Sequence, residues 1–252
     1  VYGNDEIWIT ELNEDLTAPK KDGLHRLLVS DHKNPELGYE GSHIQKINGY
    51  YYIFLIHSLR DRWMRTEACF YSDSLEGEFT GGDVLCDDRG YCGQGVAQGG
   101  IVDTPDGKWY AMLFQDSGAV GRIPILVPVT WKDHFPFFGQ NGHVPEEIEV
   151  HSTRPGYIYQ PLVGSDDFCN GLLPRWQFNH DPDPRYYHLD ALQGTYTITT
   201  REVCTELTQA VNTLTQRMSY PSCAAEVTVD ASALKEGDVA GLCALQGCYA
   251  AV

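Results

Sequence analysis

The chain is short of positive charge. Its 18 Lys and Arg stand against 35 Asp and Glu, a formal net charge of −17. Binding to a nucleic-acid backbone draws on clustered Lys and Arg, so that class of partner is excluded. Long apolar runs are also missing. The longest, Tyr50 to Ile56, falls far short of the ~20 residues that span a bilayer, and no membrane partner is expected. The eight cysteines, Cys69, Cys86, Cys92, Cys169, Cys204, Cys223, Cys243 and Cys248, include no Cys-x-x-Cys pair. That removes zinc ribbons and thioredoxin-like redox sites. By pattern the cysteines read as small buried hydrophobes, with disulfides left open. Helical periodicity is nearly absent. The sequence starts at Val1 and not at Met, so the lack of a leader says nothing about compartment.

What is present is β-forming. The 252 residues hold 25 Gly and 15 Tyr, and short apolar runs are punctuated by Asn-Gly, Asp-Gly and Gly-Gly. This predicts an all-β protein. The most informative stretch is Gly38-Tyr39-Glu40-Gly41-Ser42-His43, which runs into Ile44-Gln45-Lys46-Ile47-Asn48-Gly49-Tyr50-Tyr51-Tyr52-Ile53-Phe54. Asn-Gly between two apolar runs predicts a hairpin, because both turn positions need positive φ. Glu40 is thereby expected at a strand end, where a carboxyl group can be aimed.

The pattern then repeats. A strand at Thr66 to Ser72, read as polar, and a turn at Ser74-Leu75-Glu76-Gly77-Glu78-Phe79 follow the first hairpin. Ile101-Val102-Asp103 leads through a two-residue turn at Asp106-Gly107 into Trp109-Tyr110-Ala111-Met112-Leu113-Phe114, then Arg122 to Trp131. The turns at Asn48 and Asp106 are 58 positions apart, longer than the ~40–50 residues of common propeller blades but compatible with a four-stranded blade and a generous loop. Val1 to Leu16 reads as the outer part of an earlier blade. After about Gly142 the texture changes. From Trp176 onward, Tyr196–Thr200, Asn212–Arg217 and Glu226–Asp230 are Thr-rich alternating strands, as in a sandwich. A boundary is expected between residues 143 and 175. Both ends read as cut, so the expectation is a fragment holding two to three blades.

Tyr39-Glu40-Gly41-Ser42-His43-Ile44, the Lys-x-Asn-Gly-Tyr-Tyr-Tyr run, Ser74-Leu75-x-Gly-x-Phe79, Gln98-Gly99-Gly100-Ile101-Val102-Asp103 and Gly121-Arg122-Ile123-Pro124 together resemble glycoside hydrolase family 43. The second half, with Trp176-Gln177-Phe178-Asn179-His180 and Asn212-Thr213-Leu214-Thr215-Gln216-Arg217, resembles the sandwich appended to β-xylosidases of that family. The resemblance implies that residues 1–142 are the C-terminal part of a five-bladed β-propeller. Residues 143–175 are then a linker, and residues 176–252 the first part of a concanavalin-like β-sandwich. It implies inverting exo-hydrolysis of β-xylosides or α-L-arabinofuranosides in plant cell-wall polysaccharides or oligosaccharides, with Glu40 as general acid. Arg122 aligns with a family Arg that reaches into the substrate subsite, and His43 and Gln98 join it as substrate-binding residues.

Inverting chemistry needs a second carboxyl group about 6.5–9.5 Å away to activate water. A third, nearby, raises the pKa of the acid by like-charge repulsion. In the family both lie N-terminal to the Glu-Gly motif, and Asp5, Asp15, Asp22 and Asp31 stand outside the motif contexts, so none is assigned. Gln98 replaces a His that in many relatives faces a central metal or water cluster. No cofactor is therefore expected, apart from a structural calcium whose usual His contact is missing. The chain taken alone is expected to be inactive.

Other readings compete. Gly93 to Gly100 has the glycine content of a phosphate loop, but a strand follows it where a helix N-terminus is required. His180-Asp181-Pro182-Asp183-Pro184 reads as a turn more than a metal cluster. A degenerate propeller and sandwich that bind glycans without cleaving them form the main alternative function. The five-bladed fructan-active families, which retain configuration, form a third.

Overall fold

The computed structural model describes residues 1–219 and 222–252. It divides into two compact units, Val1–His151 and Ser152–Val252. The first opens with β1 (Glu6–Thr10) and β2 (His25–Ser30), an antiparallel pair. Two four-stranded meanders follow. One has the order β3 (Glu40–Ile47), β4 (Tyr50–Ser58), β5 (Arg65–Ser72), β6 (Thr80–Leu85). The other runs β7 (Ala97–Asp103), β8 (Trp109–Asp116), β9 (Arg122–Lys132), β10 (Phe135–Phe138). Each is one antiparallel blade, so the unit holds two blades and a two-stranded hairpin.

The first hairpin forms as the sequence predicts. Asn48 and Gly49 have φ of 50° and 91°, both left-handed, which matches the twist of the flanking strands. The second differs. Thr104 to Lys108 make a longer loop in which only Gly107 has positive φ. The Gly107 N–H donates to the Thr104 carbonyl at 2.8 Å. Pro105 presets the first turn position, and Asp106 is tied to the Thr104 hydroxyl at 2.6 Å.

The apolar run of β4 is continuous because both of its faces are covered. Ile53 and Leu55 pack with Ile7, Leu28 and Val29 of the hairpin. Tyr52 and Phe54 face the other way, onto Leu113, Val127 and Phe138 of the second blade. Each such burial contributes roughly 1.5–3 kcal/mol. β5 corrects the reading of Thr66 to Ser72 as a polar strand. Thr66, Glu67, Ala68 and Cys69 are all 0% exposed, because β5 is an interior strand of its blade.

Among the described residues the second unit holds three two-stranded ladders. They are β11 (Gln177–Phe178) with β14 (Leu214–Thr215), β12 (Tyr187–Asp190) with β13 (Thr195–Ile198), and β15 (Cys243–Gln246) with β16 (Cys248–Ala251). Phe168, Trp176, Phe178, Tyr187 and Tyr196 interlock as its aromatic centre, with ring centroids 5.5–6.0 Å apart. Buried Asn212 ties this centre to the proline-rich turn, exchanging hydrogen bonds with the Asp183 backbone and accepting one from Tyr196 Oη at 2.8 Å. The strand predicted at Glu226–Asp230 is not formed. Among the described residues no strand pairs with it, and an extended segment becomes a strand only through a ladder. The cysteines need a second correction. All eight thiols are free, and Cys69 alone is buried, while Cys92, Cys169, Cys204, Cys223 and Cys248 are exposed. No described helix is long and apolar enough to cross a membrane.

Candidate functional site

The odd-numbered strands β3, β5, β7 and β9 all begin at one end of the blade pair, and the candidate residues gather there. Glu40 is the first residue of β3, half-buried, opposite Ile56 of β4. The register then slips, with Gly41 and Ser42 set against Leu55 before His43 meets Phe54. This two-against-one bulge re-aims the strand start, a known use of bulges. Gly41 has φ of +61°, and a Cβ there would lie 2.3 Å from Gln98 Nε2. Only glycine meets both conditions.

The second blade repeats the device. In β7, Gln98 and Gly99 form the bulge against β8, between the pairs Ala97–Phe114 and Gly100–Met112. Gln98 takes the position that Gly41 holds in the first blade, also with φ of 61°. A non-glycine residue in this conformation within a strand persists only when its surroundings over-determine it. Those surroundings are visible. The Gln98 N–H donates to Glu67 Oε2 at 2.6 Å, while the Gln98 side chain covers Gly41. Glu67 itself lies in the row Glu40–Ile56–Glu67 across the first blade. It is fully buried, its Oε1 has no hydrogen-bond partner, and burial pushes its carboxyl well above the usual range.

The segment before Glu40 is pinned by backbone. The Asp5 N–H donates to the Tyr39 carbonyl, and the Asp31 N–H to the Asp5 carbonyl, both at 2.8 Å. The Tyr39 ring stands 5.0 Å from that of His57, and burial, with Asp31 and Asp83 near, pushes its phenol up to about 12. His57 Nε2 lies 2.8 Å from Asp83 Oδ1, while its Nδ1 is 3.3 Å from Asp31 Oδ2 without hydrogen-bond alignment. Asp31 also binds Arg60, and it accepts from Asn34 Nδ2 at 2.6 Å.

Arg122 begins β9 with its side chain 63% exposed. Its guanidinium lies 4.4 Å from the Phe114 ring centroid, with Nε 3.3 Å from Asp116 Oδ1. The other Asp116 oxygen is taken by Arg65, which is buried and also stacks on Phe114, at 5.1 Å. Arg122 is thus aimed by one ring and one carboxylate. His43 is exposed beside Gly100, whose Cβ would stand 3.9 Å from His43 Nδ1.

Glu40, His43 and Gln98 therefore sit on the two contacting inner strands, and Arg122 lies at the same end of the second blade. Sequence reasoning missed Glu67, Asp116 and His57. For Glu67 a signal existed, since Cys69 and Tyr71 follow at strand period and mark its face as apolar. A calcium ion takes six to eight oxygen ligands. Among the described residues no three His, Cys, Asp or Glu side chains converge on one point, and the Gln98 amide is packed on Gly41.

Two antiparallel meanders whose first strands are bulged, with a glutamate at the head of the first and an arginine opening the third strand of the second, define a propeller-type domain. Residues 2–136 match the model of glycosyl hydrolases family 43, and the chain belongs to that family. Residues 165–252 match the concanavalin A-like domain found at the C-terminus of β-xylosidases. The chain is 28% identical over 179 residues to a β-xylosidase of Formosa agariphila, covering 63% of this chain and 30% of that protein. A solved structure of a bifunctional GH43-CE protein from Bacteroides eggerthii superposes with a TM-score of 0.73 at 41% identity, over 87% of this chain and 28% of the other. A second is an engineered GH43 enzyme displaying both endo-xylanase and exo-arabinofuranosidase activity, with a TM-score of 0.68 at 28% identity. It covers 86% of this chain and 41% of the other. The chain spans about a third of the length of the curated relatives it matches.

Proposed function

We propose that the protein is an inverting exo-glycosidase of β-xylosides or α-L-arabinofuranosides, with Glu40 as general acid on the axis of a five-bladed ring. The observation that carries this reading is the placement of Glu40. It stands at the head of an inner strand, on a left-handed glycine bulge covered by Gln98, in a chain of this glycosidase family. In the reaction, the Glu40 carboxyl donates its proton to the glycosidic oxygen as that bond breaks. A carboxylate from the upstream blades takes a proton from the water that attacks the opposite face of the sugar. The five guanidinium donors of Arg122 suit the hydroxyls of the terminal sugar, and His43 and Gln98 line the approach. The xylosidase relative and the exo-arabinofuranosidase activity of the engineered one favour pentosides as the substrate class. Of the three catalytic carboxyl groups, this reading assigns only the acid to residues 1–252, and we expect these residues alone to be inactive.

The test is Glu40→Gln in the active protein. Hydrolysis of unactivated xylo- or arabino-oligosaccharides should be abolished while calorimetric binding is largely kept. Near-wild-type turnover would defeat the assignment, and binding with no turnover even in wild type would favour a glycan-binding scaffold. Proton NMR of the first-formed anomer decides inversion against retention.

A further inference from the structure

Glu67 is a carboxyl group that the proposed reaction does not use, yet it is fully buried. One of its oxygens accepts from the Gln98 N–H at 2.6 Å and the other has no hydrogen-bond partner. Its neighbours Ile56, Cys69 and Leu85 are apolar and buried. No arginine, lysine or histidine pairs with it among the described residues. A buried carboxyl in such surroundings is costly and would be replaced by an apolar residue if packing were its only task.

What Glu67 does is reach from one blade into the next. Its acceptor holds the amide of a residue with φ of 61° in the middle of the β7 bulge. That residue's side chain in turn lies where a Cβ on Gly41 would be. Gly41 is bonded to Glu40. The chain of contact is therefore Glu67 carboxyl, Gln98 backbone, Gln98 side chain, Gly41 bulge, Glu40 backbone. Glu40 and Glu67 lie in one cross-strand row, two strand spacings apart, or about 10 Å, so Glu67 reaches the site through Gln98.

We propose that Glu67 is a positioning residue, an inter-blade staple that locks the Gln98 bulge and through it the placement of Glu40. The inference rests on the reading of Glu40 as general acid. Burial favours the protonated form of Glu67, so the staple needs an acceptor oxygen and no negative charge. Glu67→Gln keeps that oxygen, whereas Glu67→Leu keeps the volume and removes it.

Two readouts separate the inference from the reading beneath it. The first is amide hydrogen exchange at Gln98, which should accelerate at least 10-fold in Glu67→Leu and stay near wild type in Glu67→Gln. The second is activity with two leaving groups. Glu67→Leu should lose about 10-fold or more on an unactivated disaccharide, which needs the acid. It should lose little on a 2,4-dinitrophenyl glycoside, which does not, and Glu67→Gln should restore the first rate. Unchanged Gln98 exchange overturns the inference, as does an equal loss on both substrates or a Glu67→Gln as impaired as Glu67→Leu. The activity readout uses the longer protein that carries the base as well as Glu40; a wild type of that protein inactive on every glycoside overturns the reading of Glu40 itself, and the positioning claim falls with it.

Discussion

Gly41→Ala places two separate demands on the site, and both are readable from the structure. The first is conformational: φ at this position is +61°, and an L-residue in the left-handed region loses roughly 1–2 kcal/mol. The second is steric. The added methyl would stand 2.3 Å from Gln98 Nε2, 2.6 Å from Cδ and 2.7 Å from Cγ. These atoms belong to a side chain that can swing away, so the clash resolves by displacing Gln98 at about 1–2 kcal/mol, the low end for overpacking. The sum is about 2–4 kcal/mol, read as a fall in the urea midpoint at constant m. A double-mutant cycle divides it. In a Gln98→Ala background the steric part vanishes, and Gly41→Ala should cost only the roughly 1–2 kcal/mol of backbone strain. If the costs of Gly41→Ala are equal in the two backgrounds, the Gln98–Gly41 contact does not constrain the bulge, and the route from the second blade to Glu40 is wrong.

Four further outcomes concern other parts of the molecule. Asp116→Ala leaves the buried Arg65 guanidinium without its carboxylate and should lower stability by about 2–3 kcal/mol, below the full cost of breaking a buried pair because Asp116 reaches solvent. Arg122→Ala, at an exposed position, should cost under about 1 kcal/mol in the same urea titration, and equal losses would refute the difference in role. Leu55→Ala, emptying a site at 0% exposure, should cost about 2–5 kcal/mol, and a loss below about 1 kcal/mol would mean that the hairpin does not cover β4. In the second unit the Arg185 hydrogen bond is the main cause holding Asp183 down to about 2, from an ordinary value of 3.8. Between these values the unfolded chain binds more protons than the folded one, so stability rises with pH across that window and is lost as pH falls through it. Thermal midpoints of wild type and Asp183→Asn should converge toward pH 2, and parallel curves would refute the linkage.

The first-blade hairpin was legible because Asn48-Gly49 has one good backbone solution and stands between two apolar runs. The second hairpin was misjudged in length, since Pro105 and Thr104 draw Asp106-Gly107 into a larger turn that no two-residue template describes. Glu40 was legible through Gly41, a residue type that marks a special backbone position. Its support was not. Glu67 and Asp116 act across blade boundaries, and sequence spacing carries no information on which strands of different blades meet. The Glu226–Asp230 strand failed for a related reason: alternation states a preference for a ladder, and the partner must come from elsewhere.

The general-acid role of Glu40 is tested most directly by a series of aryl and alkyl glycosides of rising leaving-group pKa, hydrolysed by wild type and Glu40→Ala. Proton donation contributes about 10²–10⁴-fold where the leaving group is poor and almost nothing where it is good. The wild-type series should be nearly flat. Glu40→Ala should match it at 2,4-dinitrophenyl and fall progressively behind as the leaving group becomes more basic. A Glu40→Ala series depressed by the same factor at every leaving group would contradict the general-acid role, because a residue that neither donates the proton nor positions its donor does not distinguish one departing oxygen from another.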